Sequence, residues 1–226
     1  MESGFRYAQF CPLARASEIL GERWTLLILR ELFVGPQRFS DLRRRLIGVS
    51  PSVLTARLER LEALELIERR SWSPPSAARV YALSASGRAL EPALLELIRW
   101  GMRFLEAPEP GDHLEPDWLV LGLRAFARPG PTPPRSFEVR VHGAQRPLRI
   151  AGGPEGTRIE PAGEPADVRL AAAPLVLMGL LFGQLDGATA LREGQLEAKG
   201  DLDALSDLSR MFAQPPERPR HAQPQP

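Results

Sequence analysis

Apolar residues recur at helical spacing over residues 13–20 and again over 24–33, with Gly21 between the two runs; Trp24, Leu27, Ile28 and Leu32 read as an inward face. The same period continues over 39–46, where Ser40 and Asp41 open a short helix carrying Leu42 and Leu46, and Gly48 then supplies a backbone able to turn. Ser50 is a favourable N-cap. Pro51 follows at the first helical position, where its missing N–H has no bond to lose, so a helix over 50–64 has a sharply defined start. Leu54, Leu58, Leu61 and Leu64 share its inner face, which leaves Ser52, Thr55, Ala56, Glu59 and Arg60 outward. Beyond it the period shortens. Residues 66–70 and 79–83 read as paired strands around a polar, proline-broken tip at 71–78, and a helix over 85–105 closes the unit.

The second half is written differently. Phe137, Val139 and Val141 alternate with Glu138, Arg140 and His142, and Leu148 and Ile150 alternate with Arg149; a glycine-rich turn at 152–156 leads to a third strand over 157–160. This predicts an antiparallel meander. Val168 and Leu170 mark a further strand, Pro174 opens an apolar helix over 175–182, a short helix covers 188–192, and 195–199 alternates again. Gly200 and Asp201 are expected to cap a last helix with Leu202, Leu205, Leu208 and Phe212 on one face.

Proline-rich, acidic residues 107–116 divide the two patterns, and five prolines with almost nothing apolar fill 214–226. The expected organisation is therefore a winged helix-turn-helix domain over 1–105, a linker over 106–116, a smaller α+β domain over 117–213 with an antiparallel sheet packed on helices, and a disordered tail over 214–226. The fold class is α+β.

Charge separates the halves further. The 226 residues carry a net charge of +1, but residues 1–105 hold 16 arginines against 11 acids while 106–226 hold 13 basic residues against 17 acids. A basic front suggests a polyanion partner for that half alone. The order of parts there suits double-stranded DNA: one helix can enter the major groove while a basic ribbon beside it lies along the phosphates. Ser50, Pro51, Ser52 and Thr55 form a small-residue helix end able to approach base edges closely. Arg57 and Arg60 lie further along, placed for phosphates, as are Arg69, Arg70 and Arg79 of the wing. For Arg43, Arg44 and Arg45 a plain solvated charge run is an equal reading.

Cys11-Pro12-Leu13, Gly21-Glu22-Arg23-Trp24-Thr25, Phe39-Ser40-Asp41-Leu42 and Leu66-Ile67-Glu68-Arg69, in that order, resemble the HxlR-type winged helix-turn-helix regulators of bacteria. The resemblance covers about the first 105 residues. It implies a homodimer, built from the first helix and the helix after the wing, that binds a pseudo-palindromic operator and acts as a repressor more readily than as an activator. Leu90, Leu94, Leu97, Ile98 and Phe104 would then serve the dimer interface as well as the core. Some members of that family sense electrophiles or oxidants through a cysteine at the place of Cys11. Here no second cysteine exists to resolve it, and Arg15 one turn on is the one neighbour expected to favour the thiolate; an inert half-buried thiol is the competing reading.

Gly194-Gln195-Leu196-Glu197-Ala198, then Gly200-Asp201, with Leu205 and Phe212, resemble the end of sterol carrier protein type 2-like domains, over about residues 115–213. That resemblance implies a five-stranded sheet against helices and an apolar tunnel, with Leu177, Met178, Leu181 and Phe182 as candidate lining for a small hydrophobic effector. Ordinary domain core is the competing reading of these four.

No HExxH, cysteine cluster, phosphate-binding glycine loop or Gly-x-Ser-x-Gly occurs, so neither enzyme activity, nor a metal, nor a cofactor is expected. The longest nearly apolar stretch, 170–183, is too short for a membrane helix, and one cysteine fits a reducing compartment, so the expected location is the cytoplasm. The expectation is a homodimeric, sequence-specific DNA-binding transcriptional regulator modulated by a hydrophobic ligand. A lipid carrier or dimerisation protein with residual DNA binding is the alternative.

Overall fold

The computed structural model describes residues 6–71 and 79–217. Beyond Ser71 the expected wing tip lies outside the described residues, as does the expected tail past Glu217. The chain divides into two compact units, Met1–Pro92 and Ala93–Pro226, so the division falls at Pro92, inside the helix expected to run to 105, and the second unit is the larger.

In the first unit α1 (Pro12–Leu20) and α2 (Thr25–Val34) are joined through Trp24, which stands before α2 at φ 80°, ψ −20°. That left-handed conformation is uncommon for an aromatic residue and persists only where the surroundings over-determine it. Ile28, Leu29, Leu32 and Phe33 are the buried face of α2, whereas Leu27 is exposed; the helix is rotated from the expected phase and Leu29 takes the inward place given to Leu27. Next come α3 (Phe39–Arg45) and α4 (Pro51–Ala63), with Gly48 at φ 89° in the turn between them. The antiparallel pair β1 (Ile67–Ser71) and β2 (Arg79–Leu83) runs in register from Ile67 opposite Leu83 to Ser71 opposite Arg79. Gln37, between α2 and α3, exchanges both backbone hydrogen bonds with Tyr81, at 3.0 and 2.8 Å, and so ties the wing to the helices.

The closing helix is two helices, α5 (Ala85–Arg88) and α6 (Glu91–Gly101). Pro92 has no N–H to donate to the Arg88 carbonyl, so the first stops there and a new one starts. Three residues of 3-10 helix, Met102–Phe104, end the run.

In the second unit α7 (Leu119–Phe126) precedes five strands, β3 (Ser136–Val141), β4 (Leu148–Ala151), β5 (Arg158–Pro161), β6 (Val168–Ala172) and, after α8 (Pro174–Leu181) and α9 (Gly187–Arg192), β7 (Leu196–Gly200). The order across the sheet is β5-β4-β3-β6-β7. The meander β3-β4-β5 is antiparallel as expected, but β3 and β6 pair in parallel, so the sheet is mixed rather than antiparallel. One face is apolar: Phe137, Val139, Val141, Ile150, Val168 and Leu170 meet Leu123 and Phe126 of α7, with the Phe126 and Phe182 rings edge to face at 5.2 Å. The other face carries a row of charges across all five strands, Glu160, Arg149, Glu138, Arg169 and Lys199 in register. A sheet with one buried and one solvated face produces this alternation.

The expected last helix is interrupted, with α10 (Leu205–Leu208) between two 3-10 turns. Leu208, Met211 and Phe212 are buried, but Leu202 is exposed. Asp201 does not cap it through its side chain; its carboxylate accepts from Arg135 at 3.0 Å instead.

Candidate nucleic-acid interface

The geometry of α4 starts from its cap. Ser50 Oγ accepts the Val53 N–H at 3.3 Å and lies 3.1 Å from Ser52 Oγ, while Pro51 occupies the first turn without an orphaned donor. Leu54, Leu58 and Leu61 are buried, which fixes the helix by its inner face and leaves Ser52, Thr55, Ala56 and Glu59 exposed. The end presented to solvent is therefore a capped N-terminus with the positive end of the helix dipole, carrying only small side chains.

The arginines behave less uniformly than their sequence positions imply. Arg60 is half-buried rather than fully outward, and its Nε is buried with no hydrogen-bond partner. Arg57 turns back on its own chain: its Nε donates to the Arg23 carbonyl at 3.3 Å and its Nη2 pairs with Glu22, at the corner between α1 and α2. On the wing, Arg69 reaches Glu62 of α4 at 3.0 Å and lies over the Tyr81 ring, and Arg70 pairs with Glu68. Arg79 is exposed and has no carboxylate partner among the described residues. Both wing pairs are solvent-exposed and contribute about 0–1 kcal/mol each.

Within the run at 43–45 the three arginines differ. Arg43 is exposed and Arg44 pairs with Asp41 at 3.2 Å, but Arg45 is buried beside the fully buried Glu31 of α2, at 3.5 Å. Arg30 closes on the same carboxylate at 2.6 Å. The Glu31–Arg45 pair, which joins α2 to α3, is not evident in the sequence; its one signal is that Arg45 lies one turn after Leu42, on the inward side of α3.

Cys11 is exposed and precedes α1 without capping it through its side chain. Arg15, one turn on, has its guanidinium donating to Glu18 at 2.8 Å. Arg15, together with the Tyr7 N–H, holds the Glu18 carboxyl below the usual carboxylate range. In the second unit Leu177 and Leu181 are part of the buried core, Phe182 packs against it and Met178 is half-buried. Among the described residues no cluster of His, Cys, Asp and Glu is arranged to hold a metal ion, and no helix is long and apolar enough to cross a membrane.

Residues 19–109 match the HxlR-like helix-turn-helix family and residues 135–213 the SCP-2 sterol transfer family. An uncharacterized HTH-type transcriptional regulator of Mycobacterium tuberculosis is 40% identical over 114 residues, covering 46% of this chain and 72% of that protein. A second, YvaP of Bacillus subtilis, is 37% identical over 101 residues, covering 44% of this chain and 93% of its own. Among solved structures, the reduced form of the transcriptional regulator YodB from B. subtilis aligns with a TM-score of 0.38 at 30% identity, covering 45% of this chain and all of that one. With a capped, small-residue helix end, a basic ribbon beside it, the family match and the two curated relatives, the chain belongs to the HxlR-like helix-turn-helix family of DNA-binding transcriptional regulators and carries, later in its sequence, a domain of the SCP-2 sterol transfer family.

Proposed function

We propose that this regulator is a homodimeric repressor, without catalytic activity of its own, that reads a pseudo-palindromic operator with the N-terminal half of α4 and responds to a hydrophobic molecule held by its second domain. The observation that carries the DNA-reading part is the exposed end of α4, Ser52 and Thr55, flanked by Arg69, Arg70 and Arg79. Repression requires only that the duplex be occupied.

Two faces of α6 support the dimer and the modulation. Leu97, Trp100 and Phe104 form one exposed stripe, and α1 with the arm before it exposes Phe10 and Leu13; large apolar side chains left open in groups mark an interaction site. On the opposite side Leu95, Ile98 and Met102 pack against the core of the second unit, and Arg99 donates to the Ala125 carbonyl of α7. Ile98, expected to serve both core and interface, packs against that core. The sequence of α6 falls within the HxlR-like match, which runs to residue 109, while its packing belongs to the second unit. A ligand that repacks that core would reach the dimer through α6 rather than through the 107–116 linker, and would change DNA affinity only by its unequal binding to the two arrangements.

A salt titration tests the DNA-reading part. Log affinity should fall linearly with log salt, and Arg79→Ala or Arg70→Ala should flatten the slope by about 0.9 for each phosphate no longer neutralised, hence about 1.8 for a dimer. Unchanged slopes in both variants would remove the wing from the mechanism. For the effector, native mass spectrometry of freshly purified protein should show recurrent apolar adducts; a bare spectrum counts against the ligand and leaves the DNA reading standing.

A further inference from the structure

We infer that Arg57 is a positioning residue which, with Glu22, clamps α4 at the angle needed to read bases and makes no contact with DNA itself. The inference rests on the DNA-reading role of α4. Arg57 sits midway along that helix with its side chain only 25% exposed. Two of its three guanidinium nitrogens are engaged by one short segment, Nε by the Arg23 carbonyl at 3.3 Å and Nη2 by the Glu22 carboxylate. The next residue, Trp24, completes the corner: the Arg23 guanidinium lies 5.3 Å from its ring centroid, and a Cβ placed on Gly48 would meet its ring edge at 3.8 Å. One corner therefore touches the turn that leads into α4 and the middle of α4 as well. The buried leucines hold α4 by its inner face, and these two further contacts, one at its flank and one at the turn before it, set its angle about that face.

The lever is short but sufficient. Arg57 lies five residues from Ser52, about 7.5 Å along the axis at helical rise. A rock of about 10° displaces the reading end by about 1.3 Å, beyond the tolerance of roughly 0.5 Å that a preorganised contact needs. The left-handed backbone of Trp24, φ 80°, is what turns the Arg23 carbonyl and the Trp24 ring toward α4 and its turn from adjacent positions.

Electrostatics separates a clamp from a phosphate contact. A phosphate contact needs charge, which lysine supplies, and it is strengthened by loss of a nearby carboxylate. A clamp needs the guanidinium fork and the carboxylate together. The probe is the duplex enriched from randomised DNA by the unmodified protein. Arg57→Lys should bind it about tenfold or more weakly, the worth of one good base contact, with the salt slope unchanged. Glu22→Gln should produce a similar loss although it removes negative charge, and Glu22→Gln with Arg57→Gln should be no worse than either alone. Wild-type affinity in Arg57→Lys, tighter binding in Glu22→Gln, or a slope reduced by about 0.9 per phosphate in Arg57→Gln would overturn the inference. If no sequence is enriched, the reading role of α4 fails by itself. The clamp is then decided in the free protein, where the thermal-midpoint shifts of Glu22→Gln and Arg57→Gln should be non-additive; additive shifts would reject it.

Discussion

Glu31→Leu should cost roughly 3–5 kcal/mol of stability, because it removes a fully buried carboxylate that lies 3.5 Å from the buried Arg45 guanidinium. The Glu31 side chain is fully buried and Arg45 is 4% exposed, so neither group can turn to water when the other is removed. Arg30 is less confined, with 22% of its side chain exposed, and can recover hydration. A domain of this size is stable by about 5–15 kcal/mol in all, so the single change removes a large share. Glu31→Leu combined with Arg45→Met should restore most of the loss, since an apolar pair of similar volume is often neutral or better in such a place. Denaturant midpoints of the unfolding transition of the first unit measure both. A single-variant cost below about 1 kcal/mol would mean that water reaches the pair and that its burial is not what joins α2 to α3.

That pair also shows what local sequence can and cannot carry. The start of α4 is legible in full, because Ser50 and Pro51 act through the chain beside them and Leu54, Leu58 and Leu61 through a single period. The β1–β2 ribbon and the three-stranded meander are legible for the same reason. Arg45 is not, since three consecutive arginines look alike until the phase of α3 is known. Arg57 lies one turn after Leu54, at the edge of the inner face of α4, but its partners Glu22 and Arg23 lie some 34 residues back and no local period reports them. The parallel pairing of β3 with β6 is likewise a long-range choice that alternation within each strand leaves open. α7 escapes a reading by period because it is only eight residues long, shorter than the window over which a helical repeat can be counted. The break between α5 and α6 is written in Pro92, yet the strongly apolar run around it reads as one continuous helix.

The break matters most for assembly, where the second large effect is expected. Leu97→Glu with Trp100→Glu should convert the proposed dimer to a monomer and weaken operator binding by about 10²–10⁴-fold, the gain that two linked half-site contacts give over one. Both side chains are exposed in the single chain, at 46% and 59%, so charging them should move the stability of an isolated protomer by no more than about 0.5 kcal/mol. In a dimer the same charges would face their own copies across a twofold axis, two on each side, desolvated and of like sign. Leu95→Ala provides the contrast. That residue packs against the second-domain core on the other side of α6, so its truncation should lower the stability of that domain and leave the monomer–dimer equilibrium nearly untouched. Sedimentation equilibrium and operator titration together read both variants. A doubly charged protein that still sediments as a dimer would place the twofold contact elsewhere, and would leave α6 as a strut of the second domain with no part in carrying its state to the DNA.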